Sequence, residues 1–256
     1  MIKIAPSVLS ADFSRLAEQL AVVERGGADL IHVDIMDGRF VPNITFGPII
    51  VNAVRKLTKL PLSVHLMMSE PWKYVDAFCD AGADYLSCHC EAFLRSGWPG
   101  EGPSAAAGSG TSLGLSADAP LNRELLDSTI ARTRERGVTA GLAINPGTSP
   151  SLIVPFLEKV GLVVVMSVHP GFGGQGFIRE VLPKIEEISR RRAGHDFEVE
   201  VDGGVNLETG PEIAGAGATI LAAGSYVFRS GDPGEAIRAL RAAADSTHSS
   251  GKNHDV

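Results

Sequence analysis

"DFSRLAEQLAVVERGGADLIHVDIMDG", residues 12–38, holds one complete helix-to-strand unit. Phe13, Leu16, Leu20 and Val23 recur at helical spacing, and Gly26 supplies a stop. A β-rich run from Leu30 to Asp34 follows, and it takes up His32 and Asp34 just where a buried strand would end.

The rhythm continues in both directions. Candidate strands fall at Ile2 to Pro6, Leu30 to Asp34, Leu62 to Leu66, Tyr85 to His89, Ala140 to Ile144, Leu162 to Ser167, Glu198 to Asp202 and Ile220 to Ala223. Strands alternating with helical patterns mark βα units around a parallel sheet. Eight of each predict an α/β chain folded as a closed (β/α)8 TIM barrel, a single domain over residues 1–245. A short "GAD" or "GAT" turn after helices (27–29, 82–84, 217–219) is used several times, too short to establish an internal repeat. One segment breaks the pattern: residues 95–120 are rich in Gly, Ser, Ala and Pro and read as a disordered insertion in the loop after the fourth strand. The tail 246–256 reads as unstructured, with His248 and His254 simply solvated.

Composition narrows the partners. The 256 residues are 44% hydrophobic with a net charge of -7, and acidic and basic residues are interspersed. No basic face advertises nucleic acid and no polybasic cluster advertises a membrane. The start, MIKIAPSVLSADF, lacks the pattern of a signal peptide, and no apolar run is long enough to span a bilayer. A soluble protein is expected. Cys79, Cys88 and Cys90 are an odd count that fits a reducing compartment, with the cytoplasm as the default.

Residues i and i+2 of a strand share a face, so His32 and Asp34 point together into the barrel mouth. His65 ends the third strand in "LSVHLMM". In "EVEVDGG" Glu198, Glu200 and Asp202 share one parity, with Asp202 at the carboxyl end. Taken singly, a strand-end His reads as hydrogen-bonded core and a strand-end Asp as a helix cap. Taken together, His32, Asp34, His65 and Asp202 would leave buried charge unpaired unless something binds them. Two imidazoles and two carboxylates suit one Zn, Fe, Mn or Co ion better than Ca²⁺ or Mg²⁺. The carboxyl ends of barrel strands are also where catalytic groups sit.

"HPGFGGQGF", residues 169–177, follows the sixth strand, and glycine-rich loops let backbone N–H groups cradle an anion. "DGG" at 202–204 and "AGSYVF" at 223–228 add weight, because barrel phosphate sites use late loops. A phosphorylated small molecule follows. Met36, Met67, Met68 and Met166 read either as core filler or as a water-excluding lining. Cys88 and Cys90 share one face of the fourth strand with His89 opposite, and read as small core residues.

"IAPSVLSADF", "GADLIHVDIMDGRFVPNITFGP", "PLSVHLMM", "VMSVHPGFGGQGFI", "VEVDGGVN" and "AGSYVF" closely resemble the motifs of ribulose-phosphate 3-epimerases, from Ile2 to about Ala244 apart from the insertion. The resemblance implies interconversion of D-ribulose 5-phosphate and D-xylulose 5-phosphate in the pentose phosphate pathway, with one divalent metal on His32, Asp34, His65 and Asp202. It implies Asp34 as proton acceptor and Asp202 as proton donor. It puts Ser7 and His65 against substrate, with Met36, Met67 and Met166 lining the site. It assigns Gly171, Phe172, Gly173, Gly174, Gly203, Gly204, Gly224 and Ser225 to the phosphate, and it suggests a homo-oligomer.

Two departures from the family pattern bear on substrate range. His169 stands where relatives usually have Asn or Glu, a titratable group beside the loop that would make loop closure depend on pH. "PLNR" at 120–123 stands for the usual histidine-containing stretch. Allulose 6-phosphate is the alternative substrate, and a non-catalytic sugar-phosphate binding protein is the alternative of another class.

Overall fold

The computed structural model describes residues 1–97 and 114–248. Its eight parallel strands are β1 (Lys3–Pro6), β2 (Ile31–Met36), β3 (Leu62–Met67), β4 (Tyr85–His89), β5 (Thr139–Ile144), β6 (Leu162–Met166), β7 (Glu198–Asp202) and β8 (Ile220–Ala223). They pair in the order β1-β8-β7-β6-β5-β4-β3-β2. The two ends of that order meet where Ser7 bridges His32 in parallel and Asp29 N–H donates to the Ile4 carbonyl at 3.0 Å. The result is the expected TIM barrel.

Strand parity divides the apolar residues between two cores. Ala5, Leu30, Ala143, Leu162, Val164, Met166, Ile220 and Ala222 fill the inside of the ring. Their neighbours of opposite parity, such as Ile4, Val33, Val64, Val163 and Val201, pack outward against the helices. Inside, size is limiting: a Cβ on Gly141 would stand 2.9 Å from Ser87 Cβ, so this strand reaches its neighbour only as glycine.

The helices are α1 (Leu16–Arg25), α2 (Pro48–Leu57), α3 (Val75–Asp80), α4 (Arg123–Glu135), α5 (Leu182–Arg190), α6 (Thr209–Gly215), α7 (Ser225–Phe228) and α8 (Pro233–His248). An α-helix follows every strand except β5, while β8 is followed by two. After β5 the chain runs through 3₁₀ turns at Pro150–Leu152 and Val154–Lys159. Pro146, Pro150 and Pro155 withhold the N–H groups that a longer helix there needs.

Local differences from the sequence reading have simple causes. Phe13 is 39% exposed, because it lies in a 3₁₀ turn ahead of α1 and packs its ring on Phe46. Gly26 keeps right-handed backbone, and Gly27 (φ +94°) makes the left-handed stop one residue later. Gly82 and Gly217 repeat this at φ +103° and +100°, which explains the recurring turn. Strands β2 and β3 run on to Met36 and Met67, beyond their expected ends at Asp34 and Leu66. Helix α8 continues to His248, three residues into the expected tail; the rest of the tail lies outside the described residues.

The insertion lies between the turn Cys90–Phe93 that follows β4 and the start of α4. Its two ends return to each other through an antiparallel bridge from Leu94 to Leu121 and Arg95 N–H on the Pro120 carbonyl at 2.9 Å. Its carboxyl-terminal part is packed: Leu115 joins Leu121 and Leu152 in a small apolar cluster, and its carbonyl accepts Ser149 N–H at 2.8 Å. Residues 98–113, on which the expectation of disorder mainly falls, lie outside the described residues.

Candidate active site

Register brings the polar strand ends together. Asp34 pairs with His65 across β2 and β3, and Met166 with Asp202 across β6 and β7. Inward parity then turns His32, Asp34, His65 and Asp202 toward one point, with a ligand atom from each lying within 4.8 Å of the others. His32 Nε2 is 3.1 Å from Asp34 Oδ1 and 3.8 Å from Asp202 Oδ2. His65 Nδ1 is 3.4 Å from Asp34 Oδ1 and 3.9 Å from Asp202 Oδ2.

The side chains of Asp34, His32 and His65 are each anchored, and Asp202 is held through its backbone. Ser7 Oγ donates to Asp34 Oδ2 at 2.6 Å. His32 Nδ1 meets Glu200 Oε1 at 2.6 Å, and Ser63 Oγ donates to Glu200 Oε2 at 2.9 Å. His65 Nε2 lies 3.0 Å from His89 Nε2. The backbone carbonyl of Asp202 accepts from Ser167 Oγ at 3.0 Å.

The electrostatics separate the two carboxylates. Burial pushes Asp34 up, but the His32 imidazole overcomes it and holds Asp34 well below the usual carboxylate range. Burial and the Asp34 charge push Asp202 up to about 8. The two carboxylates are thus shifted in opposite directions from their ordinary range. Burial would lower His32, yet Asp34 and Glu200 raise it well above its ordinary value, while burial takes His65 down to about 4.

The donor set fits a divalent cation. His65 Nδ1 is fully buried with no hydrogen-bond partner, an orphan nitrogen at the cluster. Ligands held about 2.0–2.2 Å from one Zn²⁺ stand about 3–4 Å from each other, the spacing of the four pairs above. Two nitrogens and two carboxylates favour Zn, Fe, Mn or Co over the all-oxygen ions.

In front of the cluster opens a cleft. Ser7, Asp34 and Asp202 line it with Met36, Met67 and Met166, while His32 and His65 lie wholly buried behind them. The glycine loops form the other wall: Gly171, Phe172, Gly173 and Gly174 face Gly203, Gly204, Gly224 and Ser225. Close packing enforces the glycines. A Cβ on Gly203 (φ +119°) would stand 2.5 Å from Val168 Cγ2, and one on Gly204 (φ +65°) 2.6 Å from the Phe177 nitrogen. Gln175 Nε2 ties the first loop by donating to the His169 carbonyl at 2.6 Å and the Phe172 carbonyl at 2.8 Å. Asn43 Nδ2 holds Gly171 O at 2.8 Å.

All of the expected site residues meet in or directly behind this cleft. Sequence reasoning gave no role to Glu200, Ser63, His89 or Gln175. Parity alone put Glu200 on the face of Asp202 and set His89 opposite Cys88 and Cys90.

Comparison with known proteins agrees with this architecture. The model of the ribulose-phosphate 3 epimerase family matches residues 3–96 and 117–228, omitting most of the insertion. The chain is 46% identical over 244 residues to ribulose-phosphate 3-epimerase of Bacillus subtilis (strain 168), covering 94% of this chain and 99% of that one. It is 43% identical to the chloroplastic ribulose-5-phosphate-3-epimerase of Arabidopsis thaliana, covering 94% of this chain and 76% of the relative. Among solved structures, KGPDC from Streptococcus mutans superposes with a TM-score of 0.66 at 12% identity, covering 96% of this chain and 99% of that one. 3-hexulose-6-phosphate synthase from Salmonella typhimurium gives 0.64 at 15%, covering 96% and 100%. These structural likenesses carry the fold alone.

Proposed function

The chain belongs to the ribulose-phosphate 3-epimerase family, and we propose that it inverts carbon 3 of D-ribulose 5-phosphate to give D-xylulose 5-phosphate through an enediolate. The observation that carries this reading is that Asp34 and Asp202 line one cleft together, beside the ring nitrogens of His32 and His65.

Carbon 3 lies beside the C2 carbonyl, so its proton is acidic enough to be removed by a positioned base. Asp34, ionised and fixed by Ser7, takes that proton. Asp202, the second carboxylate lining the cleft, delivers a proton to the opposite face, and the centre is inverted; the reverse reaction exchanges the roles. His32, Asp34, His65 and Asp202 would hold a divalent ion, which when bound supplies Lewis-acid stabilisation of the developing negative charge. The buried imidazoles and carboxylates orient one another for that purpose. Met36, Met67 and Met166 give an apolar lining that excludes water from the carbanionic centre. The backbone N–H groups of the two glycine walls bind the phosphate, which lets an acidic protein take an anionic substrate.

In this reading the enzyme serves the pentose phosphate pathway in the cytoplasm. Three free cysteines, Cys79, Cys88 and Cys90, are compatible with a reducing compartment. No helix among the described residues is long and apolar enough to cross a membrane.

Incubation with ribulose 5-phosphate in deuterated water tests the assignment. Solvent deuterium at carbon 3 together with xylulose 5-phosphate is the expected product. Absence of exchange with Zn²⁺ or Mn²⁺ supplied, or faster turnover of allulose 6-phosphate, would overturn it.

A further inference from the structure

We propose that His89 and Glu91 are positioning residues that fix the tautomer of His65 from behind, so that His65 presents its Nδ1 lone pair to the cation. This rests on the reading of the four-residue cluster as a metal site.

The chain of contacts runs away from the cleft. His65 Nε2 lies 3.0 Å from His89 Nε2, and the two rings stack with centroids 5.0 Å apart. His89 Nδ1 lies 3.1 Å from Glu91 Oε2. Glu91 Oε1 accepts Asn145 N–H at 2.7 Å and Thr148 Oγ1–H at 2.6 Å. His65, His89 and Glu91 have no exposed surface.

Hydrogen-bond complementarity then settles each proton. An ionised Glu91 only accepts, so His89 Nδ1 carries a hydrogen. With its one hydrogen there, His89 offers Nε2 as an acceptor. The contact between the two Nε2 atoms needs one hydrogen, which must come from His65. Neutral His65 therefore has a bare Nδ1, the nitrogen that has no hydrogen-bond partner and faces Asp34 and Asp202. The opposite tautomer would aim an N–H at the place where a cation needs a lone pair.

His32 is set by the same rule with the nitrogens exchanged. Glu200 holds its Nδ1 directly at 2.6 Å, leaving Nε2 for the cluster. The His65 arm reaches its carboxylate only through a second imidazole, because Glu91 sits in the turn after β4 rather than across the ring. The arm is not a proton conduit: both Glu91 oxygens are taken by fixed donors, and its carboxylate is sealed from solvent.

Glu91→Gln is the decisive change. The amide oxygen can still accept from Asn145 and Thr148, while the amide N–H₂ donates to His89 Nδ1 and reverses every hydrogen in the arm. The measurements are the Zn²⁺ dissociation constant by chelator competition and the protonated nitrogen of His65 by ¹⁵N NMR. In the wild type His65 is expected to carry hydrogen on Nε2 alone. Glu91→Gln is expected to move it to Nδ1 in the metal-free protein and to weaken Zn²⁺ about 10- to 100-fold. His89→Leu, which removes the acceptor, is expected to weaken Zn²⁺ in the same range, and it decides the matter should Glu91→Gln fail to fold. A wild type that takes up no Zn²⁺ overturns the metal reading along with this proposal. Tight wild-type binding that both variants retain, or a wild-type His65 with hydrogen on Nδ1, overturns this proposal alone.

Discussion

Ser7 Oγ donates to Asp34 Oδ2 at 2.6 Å, while Asp34 Oδ1 faces His32 and His65. One carboxylate thus has its two oxygens assigned to different tasks. Hydrogen bonds to charged groups contribute about 1.5–3 kcal/mol, so Ser7→Ala is expected to lower kcat/KM by about 10- to 100-fold and to lower the unfolding temperature by several degrees. Steady-state kinetics beside a thermal melt checks this. Kinetics within twofold of wild type would leave the bond without a catalytic part.

Glu200 is fully buried and satisfies both His32 Nδ1 and Ser63 Oγ. Truncation to Ala leaves two buried polar groups unpaired, at about 1–3 kcal/mol each. Urea unfolding of Glu200→Ala is therefore expected to show a stability loss of that order, and a midpoint equal to wild type would contradict it.

Gly204 combines a left-handed backbone with a Cβ position 2.6 Å from the Phe177 nitrogen. Gly204→Ala is expected to cost about 1–3 kcal/mol of stability through strain and to raise KM for the sugar phosphate more than it lowers kcat. A variant that binds substrate normally would remove this turn from the phosphate wall.

Glu91 makes a pH prediction. Burial opposes ionisation, but His89, the Asn145 N–H and the Thr148 hydroxyl prevail and hold its carboxyl below the ordinary glutamate value. Over that window the unfolded chain binds more protons than the folded one, so stability rises with pH through it. The contribution is complete above roughly pH 4.3, the value of an unfolded glutamate, and fades as pH falls through the lower folded value. Urea midpoints measured from pH 6 downward should show the gap between wild type and Glu91→Gln narrowing in acid. A gap independent of pH would refute the assignment.

Metal removal gives the last comparison. Positioned acid–base groups contribute about 10²- to 10⁴-fold, which is modest for so weak a carbon acid. Wild type stripped by a chelator is expected to be less active than Asp34→Asn assayed with saturating metal. The reverse order would shift the main burden of catalysis from the cation to proton transfer.

The strands and the cluster were legible for one reason: period-two parity is local, and His32, Asp34 and Asp202 each declare it within their own strand. What anchors them is not local. Glu200 stands 168 residues from His32, and no pattern in either strand names the other. His89 was readable as opposite to Cys88 and Cys90, but its contact with His65 depends on ring closure. Phe13 misled because its helical spacing begins in a turn that is not yet α-helix. The missing helix after β5 was visible in principle, since three prolines occupy that stretch.

The ring has a seam between β1 and β2, closed by the Ser7–His32 bridge and by Asp29 N–H on the Ile4 carbonyl. Parting the seam would carry Ser7 away from Asp34 and separate His32, Asp34 and His65 from the cleft wall opposite. Turnover is thus a direct gauge of circular integrity. A circular permutant whose new ends lie in the turn after α4 should keep its activity, whereas one opened between β1 and β2 should lose activity well before its helical content falls.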